Sequence, residues 1–344
     1  MAQLHKHFRR VTHGIARRGL RIEPFGKPFC AFTSMIGLSA ISRRASRHSG
    51  YVPRRVHFDL LRASGGGAMF SADGNDQIVR SLWLHGLMRY EAPLPALFMR
   101  IAQGAQTILD VGANSGLYAI VAALVEPRCQ VHAFEPFPPA LKWLQANLNL
   151  NGLQKRVTVV PAAAGSELGM ADLFIPAKAY GNTLETSSSL NGRFRAKHSE
   201  VLKVKVVPLD DYVHEARIAK VSILRADVEG AEHLMMGGAT GILRDHRPMM
   251  FLEVLSPIGA DQLEPFRARF GYRAAFLTDA GLIDMPRVAC RFGSFNQLWY
   301  PEERRHEVAL AADDVKMPLL GHPPSSILAL QSSPRLSGIG SAPV

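Results

Sequence analysis

The chain has 344 residues, 47% of them hydrophobic, and a net charge of +11. That is enough apolar material for one large domain or two modest ones. Residues 1–60 hold 12 Lys and Arg against two acids, so they carry +10 and the rest of the chain only +1; nucleic-acid binding is therefore not expected of the body, only of the basic leader.

Residues 1–68 read as that leader, a flexible Arg- and Ser-rich arm ending at the joint Ala63-Ser64-Gly65-Gly66-Gly67. Its acid-poor start is also similar to an organellar transit peptide. Its longest apolar run, 29–41, has 13 residues, short of the roughly 18 that span a bilayer, so no transmembrane segment is expected. Cys30, Cys129 and Cys290 show neither metal spacing nor a disulfide pattern. Free thiols suit a reducing compartment, and the expected location is cytoplasmic.

From about residue 76, Ile78, Leu82, Leu84, Leu87 and Met88, then Leu94, Leu97, Phe98 and Ile101, recur at helical spacing and predict two helices. Strand and helix then alternate: strand 106–111, helix 116–125, strand 130–135, helix 137–150 and strand 157–161. A hairpin-like pair, 171–175 and 201–207, flanks a loop over 176–200 that is rich in Thr, Ser, Asn and Gly, including Asn182, Thr183, Ser187, Ser188, Ser189 and Asn191. Strand 221–228 and its helix, strand 249–254, helix 261–270 and strands 272–277 and 295–300 complete the series. Such alternation predicts a parallel α/β sheet. Residues 306–344, with Pro, Ser and Gly and little periodicity, read as a disordered tail. The main domain is thus expected over 69–305.

The segment 107–118 carries the most chemistry. A short apolar run ends in Asp110, passes through Gly112-Ala113-Asn114-Ser115-Gly116 and enters a helix. Such a turn lets a ligand approach the backbone and meet unpaired N–H groups. It departs from the dinucleotide pattern G-x-G-x-x-G, with Asn114 where a middle glycine often sits, and it lacks the Gly-Lys-Ser/Thr ending of a triphosphate loop. Asn tolerates the left-handed backbone such a position needs. Asp110 would repel a pyrophosphate but suits a cationic amine, which favours S-adenosylmethionine. Glu135, ending the next strand about 20 residues on, suits a ribose with two free hydroxyls. The expected cofactor-binding residues are Asp110, Gly112, Asn114, Gly116 and Glu135.

Three further blocks accompany this one: Phe134-Glu135-Pro136, Asp227-Val228-Glu229-Gly230-Ala231-Glu232 and Phe251-Leu252-Glu253. Together with Asp-Val-Gly-Ala-Asn-Ser-Gly at 110–116 they resemble the FkbM family of S-adenosylmethionine-dependent methyltransferases, over about residues 76–301. Arg225 departs from that pattern, which usually has Lys there. The resemblance implies a doubly wound, Rossmann-like, seven-stranded and mostly parallel sheet with helices on both faces. It also implies methyl transfer to a hydroxyl of a small molecule or sugar.

Ligands of such sheets bind outside the carboxyl ends of strands where the strand order reverses. If the strands ending at Asp110 and Asp227 are neighbours there, Asp110, Asp227, Glu229 and Glu253 converge on one crevice, and their repulsion raises at least one pKa. Asp227, Glu229 and Glu253 are the expected catalytic carboxylates, any of which can take the acceptor's proton. Glu232 reads as a first-turn helix acid, His233 as a further candidate base, and Trp143 as either a stacking or a packing residue. No metal is assigned, although the three carboxylates are hard ligands suited to magnesium. Another reading is a non-catalytic module with the same fold, whose leader docks on nucleic acid or an acidic membrane.

Overall fold

The computed structural model describes residues 55–60, 67–71, 77–176, 188–192, 198–291 and 293–320. Two short strands, β1 (Arg55–Asp59) and β2 (Gly67–Ser71), pair antiparallel ahead of helices α1 (Gln77–His85) and α2 (Leu94–Ala102). The alternating body follows as β3 (Thr107–Val111), α3 (Leu117–Val125), β4 (Gln130–Phe134), α4 (Pro138–Leu150) and β5 (Val157–Val160). Next come β6 (Ala163–Ala164), β7 (Gly169–Pro176), β8 (His198–Val207), α5 (Leu209–Glu215), β9 (Ile223–Ala226) and α6 (Glu232–Gly237). The chain continues through β10 (Met249–Glu253), α7 (Pro257–Arg269), β11 (Tyr272–Thr278), β12 (Gly281–Met285), β13 (Asn296–Pro301), α8 (Arg305–Asp314) and β14 (Leu319–Leu320).

Nine strands form one sheet in the order β14-β12-β11-β13-β10-β9-β3-β4-β5. From β10 through β5 every pairing is parallel, and β13 and β11 join antiparallel. The doubly wound, mostly parallel sheet is the expected one; its seven strands are extended at one edge by β12 and β14. The order reverses between β3 and β9, which are directly paired, so Asp110 and Asp227 do lie on one rim. Separate apolar clusters cover the two faces. One includes Leu97, Phe98, Ile120 and Phe251, the other Leu109, Leu224, Met250 and Trp299. The strand residues alternate between them, as a two-sided sheet requires.

Two boundaries differ from the sequence reading. The leader does not run to 68: Val56, Phe58, Ala68 and Phe70 are buried, and the β1-β2 hairpin is fastened to α4. Asn151 Oδ1 accepts from the Met69 N–H and Asn147 Oδ1 from the Ser71 N–H, at 2.9 and 2.8 Å. The alternation of Val56 and Phe58 with Arg55, His57 and Asp59 is a strand signal that the surrounding charge concealed. Nor does the tail begin at 306. In α8, Val308, Ala311 and Ala312 are buried, and Arg305 donates to the buried Asp284 at 2.6 Å. Two of those three residues are alanines, too small to mark a helical stripe clearly. Helix α7 also starts earlier than expected, because Ser256 caps it by accepting from the Gly259 N–H at 3.0 Å. The expectations for residues 1–54 and 321–344 lie outside the described residues.

Candidate functional site

At the strand-order reversal the carboxyl ends of β3, β4, β9 and β10 open onto a cavity of about 190 Å³. Its floor is the 112–114 loop. Gly112 has φ 76 and Gly116 φ 93. A Cβ on Gly112 would run into the Asp227 carbonyl oxygen, and one on Gly116 into the Leu144 side chain, so the loop needs glycine for close approach as well as for its backbone angle. Asn114 adopts φ 51. Asn147, which holds β2, also donates from Nδ2 to the Ser115 carbonyl at 2.9 Å, tying the N-terminal hairpin to this loop.

Glu135 organises one side. It is buried, yet its two oxygens accept from backbone donors: Oε2 from Asn114 N–H and Oε1 from Phe137 N–H, both at 2.8 Å. Burial pushes its pKa up to about 7, against the pull of those two N–H groups. Beyond it the wall is apolar. Phe137, Ala140, Ala163 and Leu173 line the cavity and belong to a small cluster with β7 and β8.

The opposite side is acidic. Asp227, Glu229 and Glu253 bring one oxygen each to within 4.8 Å of one another, so the expected convergence occurs for these three. Burial raises the Glu253 pKa strongly, and the charges of Asp227 and Glu229 add to it. Glu229, which lines the cavity, has φ 57 and Gly230 φ 87, a left-handed turn just after β9. Glu232 closes the turn from below. It is buried, accepts from the Val228 and Gly230 N–H groups at 3.3 Å, and has its pKa pushed up to about 7 chiefly by burial. It is the first-turn helix acid expected, and it also stabilises the turn that precedes it. His233 and Trp143 do not line the cavity; Trp143 packs against the core.

Asp110 lies behind the cavity wall rather than on it. It is 1% exposed, and its Oδ1 accepts from Arg225 Nη1 at 3.0 Å. Arg225 also donates from Nη2 to Asp227 at 2.8 Å and lies 4.3 Å from the centre of the Tyr118 ring. Its planar fork therefore bridges two acids while stacking on an aromatic face, which a lysine cannot do. The acid near the end of β3 thus anchors the guanidinium, and Arg225, where the resemblance has Lys, bridges two acids of the site. Among the described residues, Asp110 Oδ2 and Asn114 Oδ1 are buried without a hydrogen-bond partner, leaving acceptors beside the loop.

Among the lining residues that the sequence reading did not assign to the site are Tyr90, Glu91 and Phe137, together with Tyr118 at the end of the 107–118 segment. Glu91 accepts from the Tyr118 hydroxyl at 2.8 Å. Burial raises its pKa and Arg225 opposes this. Across the rim, Ser188, Ser189 and Leu190 from the 176–200 loop also line the cavity. Ser189 donates to the Val228 carbonyl at 3.4 Å and Asn191 to that of Gly230 at 3.2 Å. Asn182, Thr183 and Ser187 lie outside the described residues. No helix among the described residues is long and apolar enough to cross a membrane.

Residues 110–281 match the family model described as the methyltransferase FkbM domain. The chain belongs to the FkbM methyltransferase family. The match begins at Asp110 and takes in every expected site residue. It is shorter at both ends than the 76–301 resemblance. The FkbM chain is 30% identical over 153 residues to a 31-O-demethyl-FK506 methyltransferase of Streptomyces tacrolimicus, covering 38% of this chain and 58% of that protein. Over 186 residues it is 25% identical to a hexuronic acid methyltransferase of Haloferax volcanii, covering 54% and 70%. Over 149 residues it is 29% identical to a 2-O-methyltransferase of Sinorhizobium fredii, covering 41% and 60%. The first and third of these relatives are matched over less than two thirds of their own length.

Proposed function

We propose that this FkbM protein is an S-adenosylmethionine-dependent methyltransferase acting on a hydroxyl of a small molecule or sugar. The observation that carries this is the ordering of one cavity. An apolar wall at Phe137, Ala163 and Leu173 suits an adenine ring. The doubly bonded Glu135 carboxylate stands next to it for ribose hydroxyls, and the acid-lined end suits a cationic tail. The unpartnered Asn114 Oδ1 beside the loop adds an acceptor where a ligand would lie. Two of the three relatives have O-methylation in their names, which supports a hydroxyl acceptor; one is named for hexuronic acid, which supports a sugar. A cytoplasmic location is part of the same proposal, supported by the unpaired thiols of Cys129 and Cys290.

Bound there, S-adenosylmethionine supplies an already activated methyl group, so the chain's task is positioning. Glu135 would hold the ribose, and the 112–114 loop would present backbone to the ligand. Arg225 fixes the Asp227 carboxylate. Asp227, Glu229 and Glu253 stand at the acid-lined end to accept the proton that the hydroxyl loses. Ser188 and Ser189 form the facing rim against which an acceptor would lie. Calorimetric titration with S-adenosylmethionine and with NAD tests the reading. Binding of the first alone is expected; tight NAD binding without methyl-donor binding would sink it.

The approach of three carboxylate oxygens within 4.8 Å favours one variant, in which a divalent cation held by Asp227, Glu229 and Glu253 steers the acceptor oxygen. Methyl transfer that persists in a chelator excludes it.

A further inference from the structure

We infer that Glu91, from a segment preceding the family-matched residues, is the carboxylate that receives the cationic amine of the cofactor's amino-acid end; the inference rests on the S-adenosylmethionine reading above. That amine needs an acid facing the cavity. Asp110, the acid the sequence offers, is buried, bonded to Arg225 through Oδ1 and off the cavity wall. Asp227 is likewise paired with Arg225. Glu91 lines the cavity, and the side chains that donate to it are neutral phenols, Tyr118 at Oε2 and Tyr90. A neutral donor orients a carboxylate without cancelling its charge, and the nearby Arg225 guanidinium, which bonds to the side chains of Asp110 and Asp227, favours the ionised form of Glu91 against burial.

The placement agrees with the order of the cavity. Glu135 ends β4, on one side of β3. Arg225 and Asp227 follow from β9, on the other side. Tyr118, in the first turn of α3, spans to that second side, because Arg225 stacks on its ring while its hydroxyl reaches Glu91. A ligand whose ribose sits at Glu135 and which crosses the 112–114 loop therefore runs toward Glu91. The ring of Tyr118 is itself held by Phe98 of α2, edge-on at 5.1 Å between centroids. The corner carrying Glu91 is thus fixed from both sides, and Glu91 has φ 49, a conformation that non-glycine side chains adopt only when their surroundings enforce it.

The test compares two ligands that differ at the amino-acid end. S-adenosylhomocysteine carries the amine; 5′-methylthioadenosine shares the adenosine and thioether but ends in a methyl group. Calorimetry on the full chain and on Glu91→Gln, which keeps an acceptor for Tyr118, should show S-adenosylhomocysteine weakened about ten- to a hundredfold by loss of a charge-assisted bond. Binding of 5′-methylthioadenosine should change less than twofold. Glu91→Asp, which keeps the charge, should recover part of the loss. Equal weakening of both ligands would reveal a merely structural role and overturn the assignment, as would no weakening of either. Failure of the unsubstituted protein to bind either ligand would overturn the cofactor reading and this inference with it.

Discussion

Glu135 meets two backbone N–H groups with a carboxylate whose pKa is near 7, so its charge varies over the working pH range. Ribose hydroxyls donate, and the ionised form accepts them best. Cofactor affinity should therefore rise between pH 6 and 8, measured by calorimetry. The sign for the unliganded fold is opposite. Because the folded pKa lies above the ordinary 4.5, the stability linked to Glu135 is full below pH 4.5 and lost as pH climbs to 7. Glu135→Ala should weaken cofactor binding tenfold or more and abolish its pH dependence; an unchanged affinity would remove Glu135 from the site. Arg225 supports a second prediction. Replacing it with Lys keeps one charge but cannot bridge Asp110 and Asp227 while stacking on Tyr118. An uncompensated buried carboxylate should then cost about 3 kcal/mol, read as a lower urea midpoint. If the midpoint does not fall, the bridge contributes nothing beyond its charge.

At the scale of elements, the added edge of the sheet is held by one buried acid. Asp284 on β12 accepts from the Tyr300 hydroxyl of β13 at 2.5 Å, from Arg305 of α8 at 2.6 Å and from Arg273 of β11 at 2.9 Å. Asp284→Ala should destabilise by about 2–3 kcal/mol. That is less than breaking a fully buried pair, because both guanidiniums reach solvent. Amide exchange in α8 should speed up while exchange in β3 does not. Elements with strong periodicity were legible in the sequence: α1, α2, the strands β3, β4 and β10, and the helix after the glycine loop all follow from runs of large apolar residues. Missed elements depend on partners distant in the chain. β12 lies between two turns and is fixed by β11 and by the Asp284 contacts, and α8 buries small residues whose burial needs the rest of the sheet. The site divides in the same way. Glu135, Asp227, Glu229 and Glu253 end strands or the turns just after them, so a pattern reading finds them. Glu91 sits in a corner of positive φ outside any strand or helix, and its place on the cavity wall depends on the fold of α2 and α3 around it; Asp110's partner Arg225 is 115 positions away.

For the whole molecule, these contacts relocate the boundary between arm and domain. Removal of residues 1–54, which hold the bulk of the basic charge, should leave the melting temperature and cofactor affinity unchanged while reducing binding to polyanions such as heparin. Removal of residues 1–68 takes β1, and with it the buried Val56 and Phe58. It should lower the melting temperature and loosen the glycine loop through Asn147. Equal melting temperatures for the two deletions would show that the hairpin is an ornament.

The fastening of β2 to α4 also dictates an order of events while the protein is being made. Met69 and the Asn151 that receives it are 82 residues apart, a delay of about 4–16 s at bacterial or eukaryotic synthesis rates of about 5–20 residues per second. Throughout that interval the emerging hairpin has α1 against β1 but lacks the α4 that fastens β2, so part of its apolar surface around Phe70 stays open, a natural client for a ribosome-associated chaperone. Nascent chains stalled before residue 151 emerges should be cut by protease within the hairpin, and chains stalled well beyond it should resist.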